Sequence, residues 1–171
     1  RCYRAVVYAL GASMDRRMGI PGEDLRGSHS ATDFVAWYNG HPDFCDLEFD
    51  LLTAQRVAVI GNGNVALDVA RMLALTEDEL ASTDAADHAV EVLSRCPVEE
   101  IVIIGRRGPA QAAFTNPELR ELGELSAADV VVDPTDVILD AESAAWLQSA
   151  DSHRTNRLNV EILGGLANRP R

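Results

Sequence analysis

The stretch Val57-Ala58-Val59-Ile60-Gly61-Asn62-Gly63-Asn64-Val65-Ala66, running on into Leu67-Asp68-Val69-Ala70-Arg71-Met72-Leu73-Ala74-Leu75, constrains the fold more than any other part of the chain. A β-branched run ends at Gly61, a G-x-G-x-x-A pattern follows, and a helical pattern begins at once. That order suits a site for a pyrophosphate. The first glycine allows a tight strand-to-helix turn, and the second lets the backbone approach the phosphates. The small third residue, Ala66, lets helix and strand pack closely. The helix N-terminus then turns unpaired N–H groups and the positive end of its dipole toward the anion. Val65, Val69, Met72 and Leu73 recur at helical spacing, which places them on one apolar face. A glycine-containing βα turn with no ligand is the plainer alternative.

Other elements alternate along the 171 residues. Residues 4–10 (RAVVYAL) read as a buried strand ending in the glycine turn Gly11-Ala12. Residues 13–29, with Gly19, Pro21-Gly22 and Gly27, read as a connector. Asp33 to Asn39 is expected to be helical, with Ser30 or Thr32 as cap and Gly40 as stop, and residues 41–55 form an irregular link. Ala85 to Leu93 can form a helix stopped by Pro97. Glu99 to Ile104 is continuously apolar after its two glutamates and reads as a second buried strand. A helix is expected over Pro117 to Leu125, with Asn116 as cap and Pro117 at the first helical position. Val130–Val132 is a strand candidate, Ala141–Gln148 a helix, and Val160–Leu163 a further strand. Alternating β and α elements imply an α/β fold, a parallel sheet flanked by helices.

Arg106-Arg107, just after Gly105, decides which dinucleotide such a unit favours. A site for the unphosphorylated cofactor holds the ribose 2′-hydroxyl with a carboxylate near the end of the second strand. Here two guanidinium groups stand in that place, and a guanidinium fork matches a phosphate bidentately. The choice points to NADP over NAD, with a solvated basic turn as the alternative. The spacing is unusual: 45 residues separate Gly61 from Arg106, against the usual ~20. Residues 76–97 therefore form an insertion. Asn62 and Asn64 either bond locally within the turn or reach the pyrophosphate or a ribose, and both readings stay open. Asp68 and Arg71 read as an exposed intrahelical pair. Glu118 either completes a capping box with Thr115 or receives the nicotinamide carboxamide.

Composition narrows the functional classes. A net charge of −12 argues against broad nucleic-acid binding, and an anionic cofactor then needs local cations. No apolar stretch approaches the ~18–20 residues of a membrane span. Cys2, Cys45 and Cys96 are scattered without a C-x-x-C pair, as expected for a reducing compartment, the cytoplasm. The cysteines and the dispersed His29, His41, His88 and His153 suggest no metal site. No catalytic nucleophile or proton-transfer group stands out. The chain opens Arg1-Cys2 without an initiator Met and is expected to be part of a longer protein.

Taken together, GNGNVALDVARML, GRRGPAQAAFT and ELREL resemble the adrenodoxin reductase-like ferredoxin–NADP reductases. So does the upstream VVYALGAS…IPGEDLRGSHSATDFVAWYNGHPDF. The resemblance runs to about residue 126. It implies a Rossmann-like fold belonging to a flavoprotein with two dinucleotide-binding domains, here incomplete. Residues 1–29 would end the FAD-binding domain and form its connector, and 30–171 would be the NADP-binding domain. The resemblance also implies electron transfer between NADPH, FAD and an iron–sulfur protein such as ferredoxin. Asn62, Gly63, Asn64 and Val65 would cradle the pyrophosphate, and Arg106 and Arg107 would hold the 2′-phosphate. Glu118 would lie near the nicotinamide, while Gly11 and Ala12 would return toward the flavin. The alternatives are an electron-input subunit of the glutamate synthase type and a non-catalytic NADP-binding module.

Overall fold

The computed structural model describes residues 4–5 and 15–169. Residues 6–10 of the expected strand and the turn Gly11-Ala12 lie outside the described residues. Residues 15–30 contain neither helix nor strand, as their glycines and Pro21 imply. Helix α1 (Ala31–Tyr38) starts where Ser30 accepts a hydrogen bond from the Asp33 N–H, and it stops before Gly40, whose φ of 70° favours glycine. The link that follows includes a single 3-10 turn, Asp50–Leu52.

Strands β1 (Arg56–Ile60) and β2 (Glu100–Ile104) pair in parallel, Arg56 opposite Glu100 and Ile60 opposite Ile104. Both strands therefore end at the same edge of the sheet. Between them run α2 (Asn64–Ala74), α3 (Glu77–Ala81) and α4 (Asp87–Leu93). After β2 come a 3-10 turn at Pro109–Gln111, then α5 (Asn116–Leu122), α6 (Ala141–Gln148) and α7 (Arg154–Ala167).

Helix α2 separates two clusters of buried side chains. Val69, Met72 and Leu73 face Phe34, Trp37, Leu51, Leu80 and Leu93. Leu67 and Ala70 face Phe114, Leu119, Leu122 and Leu166. Burial on both flanks is what holds an 11-residue helix that would be marginal alone. Val65 does not belong to this buried surface. It is 52% exposed, because it sits in the first turn, at the open end beyond the sheet.

One further helix forms, and three expected elements turn out differently. Helix α3 forms inside the acidic stretch because Thr76 and Glu79 make a capping box in which each side chain bonds the other's backbone N–H. Residues 130–132 form no strand; Val130 and Val132 pack against the second cluster while Val131 points to solvent. Val160–Leu163 is not a strand either but the middle of α7. Asn159, Ile162, Leu163 and Leu166 follow a helical period, and the apolar run alone had masked it. Strand β2 is half covered rather than buried: Val57, Val59, Ile101 and Ile103 face the clusters, while Ala58, Ile60, Val102 and Ile104 are exposed.

The α3 cap has a pH consequence. The Thr76 backbone N–H, the Ser126 hydroxyl and the Thr76 hydroxyl hold the Glu79 carboxyl below its ordinary value. A depressed pKa in the folded state means the charged form favours folding. Its contribution is present above the ordinary carboxylate range and is lost as pH falls through the lowered value. Thermal unfolding followed across acidic pH is expected to show a shallower pH dependence for Glu79→Gln than for the native chain. Superimposable profiles would contradict this account of the cap.

Candidate dinucleotide site

Because β1 and β2 run parallel and in register, the turn after β1 and the turn after β2 lie side by side. The Gly61 N–H donates to the Ile104 carbonyl at 2.9 Å, so the ladder continues one residue into the turn. Gly61 has a φ of 152°, open to glycine but strained for other residues. A Cβ there would lie 3.6 Å from the Cβ of Ala66, itself buried, the close helix–strand approach that the third position of the pattern provides.

Gly63 differs from Gly61. Its φ of −132° and ψ of 178° suit any residue, and a Cβ there would meet nothing within 4 Å. Protein packing does not require a glycine at this position. What the missing side chain leaves is open space in front of the first N–H groups of α2. Gly63 caps that helix without a side-chain hydrogen bond; the Ala66 and Leu67 N–H groups bond its carbonyl, and the Asn64 and Val65 N–H groups have no partner among the described residues, as an anion site needs.

The two asparagines serve the turn in different ways. The Asn64 Oδ1 accepts from the Thr115 N–H at 2.7 Å, and the Asn62 carbonyl accepts from the Ala113 N–H at 2.8 Å. These bonds fold residues 113–115 back over the phosphate turn. The Asn62 side chain rests on Gly105: a Cβ at 105 would come within 2.7 Å of Asn62 Nδ2 and 2.9 Å of its Cγ. Any side chain at position 105 would have to displace Asn62. Gly105→Ala is therefore expected to weaken dinucleotide binding several-fold, and Asn62→Gly to restore it in the double variant, as a binding titration of all four proteins would show. Additive losses would contradict the contact.

Arg106 and Arg107 follow directly, beside the turn. Both are exposed, and neither forms an ion pair with a carboxylate among the described residues. Five other arginines are paired with carboxylates: Arg17 with Asp24, Arg26 with Asp50, Arg56 with Glu100, Arg71 with Asp68 and Arg95 with Glu91. The Asp68–Arg71 pair, 3.9 Å apart, is the partly exposed intrahelical contact its spacing implies.

Glu118 stands in the first turn of α5. Thr115 is the N-cap of that helix, not Asn116, because the helix starts one residue earlier than expected, and the Thr115 side chain makes no capping bond. The capping box with Glu118 does not form. Instead, Glu118 Oε2 is buried and has no hydrogen-bond partner among the described residues. An orphaned buried carboxylate oxygen is costly, and a donor such as a carboxamide NH₂ would satisfy it. Open space at Gly63, unpaired guanidinium groups at the strand edge and an unsatisfied acceptor at Glu118 fit the parts of a phosphorylated nicotinamide dinucleotide. Gly11 and Ala12 lie outside the described residues.

Sequence reasoning missed the support behind this site. Asn159, on α7, is fully buried. Its Nδ2 donates to the Phe114 carbonyl at 2.8 Å, and its Oδ1 accepts from Asn116 Nδ2 at 2.7 Å. Asn116 also donates to the Thr155 carbonyl, and Asn156 to the Ala110 carbonyl. Asn156 and Asn159, three apart on one helical face, were the available signal.

No protein-family model matches the chain. Individual proteins do. The chain is 53% identical over 169 residues to the NADPH-ferredoxin reductase FprA of Mycobacterium tuberculosis, covering 98% of this chain and 36% of that protein. It is 49% identical over 135 residues to the mitochondrial NADPH:adrenodoxin oxidoreductase of Arabidopsis thaliana, covering 79% of this chain and 28% of that protein. A solved structure of Mycobacterium tuberculosis FprA in complex with NADPH superposes with a TM-score of 0.86 at 52% identity, covering 99% of this chain and 36% of that one. The chain thus spans about a third of the length of these relatives.

Proposed function

Since the chain belongs to the adrenodoxin reductase-like ferredoxin–NADP reductases, we propose that it is the NADPH-binding segment of such an enzyme. One observation carries this reading: Arg106 and Arg107, without carboxylate partners among the described residues, stand at the strand edge beside the open phosphate turn. Gly61, Asn62, Gly63, Asn64, Val65 and Ala66 shape that turn. The N–H groups at the start of α2 bind the pyrophosphate, and the guanidinium pair binds the 2′-phosphate. The Glu118 carboxylate accepts from the nicotinamide carboxamide and so orients the ring. When bound, NADPH supplies the electrons that pass by way of FAD to a ferredoxin or similar iron–sulfur protein. The residues of this chain bind and orient.

In the same reading, residues 30–171 form the NADP-binding domain, and residues 1–29 are the end of the FAD-binding domain with its connector. The unbroken irregular run before Ser30 supports that division. Gly11 and Ala12 would approach the flavin. No helix among the described residues is long and apolar enough to cross a membrane, and the free thiols Cys45 and Cys96 suit a reducing compartment such as the cytoplasm.

The test is anaerobic mixing of the intact protein with NADPH and, separately, NADH in the presence of ferredoxin. Flavin bleaching and ferredoxin reduction with NADPH, and far slower with NADH, are expected. Absence of a flavin signal, or equal rates with both nucleotides, would overturn the proposal.

A further inference from the structure

A fully buried asparagine needs an explanation, because an amide left unpaired in the interior is costly and an apolar side chain would fill the same space without that risk. Asn159 meets its requirement by bonding two neighbours of a single residue. It holds the Phe114 carbonyl on one side of Thr115 and the Asn116 side chain on the other. Thr115 is itself the residue whose N–H is held by Asn64 in the phosphate turn, and Glu118 follows three residues later with its orphaned oxygen. Helix α7 also bonds this region through the Thr155 carbonyl, which accepts from Asn116 Nδ2, and through Asn156, which donates to the Ala110 carbonyl. The bonds from Asn159 and Thr155 converge on residues 114–116, and that piece of backbone leads directly into the helix carrying Glu118.

We propose that Asn159 is a positioning residue for the nicotinamide end of the bound dinucleotide. It fixes the backbone on which Glu118 is mounted, and it does not touch the ligand. This rests on the NADPH-binding reading above and adds to it a division of labour. The adenosine end is set by β2 and the guanidinium pair, whereas the nicotinamide end is set from α7 through the asparagine clamp.

The division separates the two halves of the ligand, which makes it measurable. Titrations of the intact protein would compare NADP⁺ with 2′,5′-ADP, which carries the 2′-phosphate and the adenosine 5′-phosphate but lacks the second phosphate of the pyrophosphate and the nicotinamide riboside. Asn159→Leu is expected to weaken NADP⁺ by about tenfold, the factor that a lost hydrogen bond to a charged group supplies, and to leave 2′,5′-ADP unchanged. Asn116→Ala keeps the Asn159–Phe114 bond and is expected to act in the same direction more weakly, which covers the case in which the leucine variant does not fold. Because Asn159 acts through Glu118, adding Asn159→Leu to Glu118→Gln is expected to cause little further loss of NADP⁺ affinity. Equal weakening of both ligands, no weakening of either, or additive effects in the double variant would overturn the proposal. A native protein that fails to prefer 2′,5′-ADP over 5′-AMP would sink the NADPH-binding reading itself, and this inference with it.

Discussion

Arg106→Ala is expected to weaken NADPH binding by roughly 10–100-fold while leaving NADH binding unchanged, since a hydrogen bond to a charged group contributes roughly 1.5–3 kcal/mol. The asymmetry follows from where the residue stands. Arg106 is exposed and has no ion-pair partner to lose among the described residues, so its removal costs the fold little. Its charge matters only when a phosphate lies beside it, and only one of the two cofactors carries that phosphate. Arg107→Ala is expected to act in the same sense. Equal loss of both cofactors on direct titration would remove the 2′-phosphate role and leave Arg106 as a solvated turn residue.

The largest effect on stability is expected at Trp37→Ala. Trp37 is 3% exposed, and its ring lies 5.1 Å from Phe49, 5.5 Å from His88 and 5.7 Å from Phe34, centroid to centroid. Its carbonyl also accepts from His88 Nε2 at 3.1 Å, so α1 is tied to α4 at the same point. Truncating a buried tryptophan costs about 3–5 kcal/mol, a large share of the roughly 5–15 kcal/mol that holds a domain together. A urea titration should show the midpoint falling accordingly, with little change in slope. A loss below about 1 kcal/mol would mean that the aromatic cluster closes over the gap, or that α1 is not part of the folding unit.

How much of this was readable in advance depended on whether the signal was local. The β1–turn–α2 unit was legible because strand, glycines and helix are contiguous, and each residue's role follows from its own backbone. The placement of Arg106 and Arg107 was legible because they follow a strand directly. Ala141–Gln148 was read to the residue, since the cap Asp140 and the alanines are local too. The misreadings came where distant packing decides. Val160–Leu163 is as apolar as a strand, but Asn159 and Leu166 on either side commit it to a helix against α5. Val130–Val132 has strand composition, but Val130 and Val132 are taken up in packing against the second cluster. Val65 fits the helical period, yet α2 projects it past the end of the sheet. The buried Asn159 has no meaning until α7 is folded onto residues 110–116, which lie more than 40 positions earlier.

The most direct measurement is calorimetric titration of the intact protein with NADP⁺ and NAD⁺ under identical conditions. If the strand edge at Gly105–Arg107 recognises a 2′-phosphate, NADP⁺ binds with one-to-one stoichiometry and at least about tenfold more tightly than NAD⁺. Indistinguishable heats for the two nucleotides, or no heat for either, would contradict it.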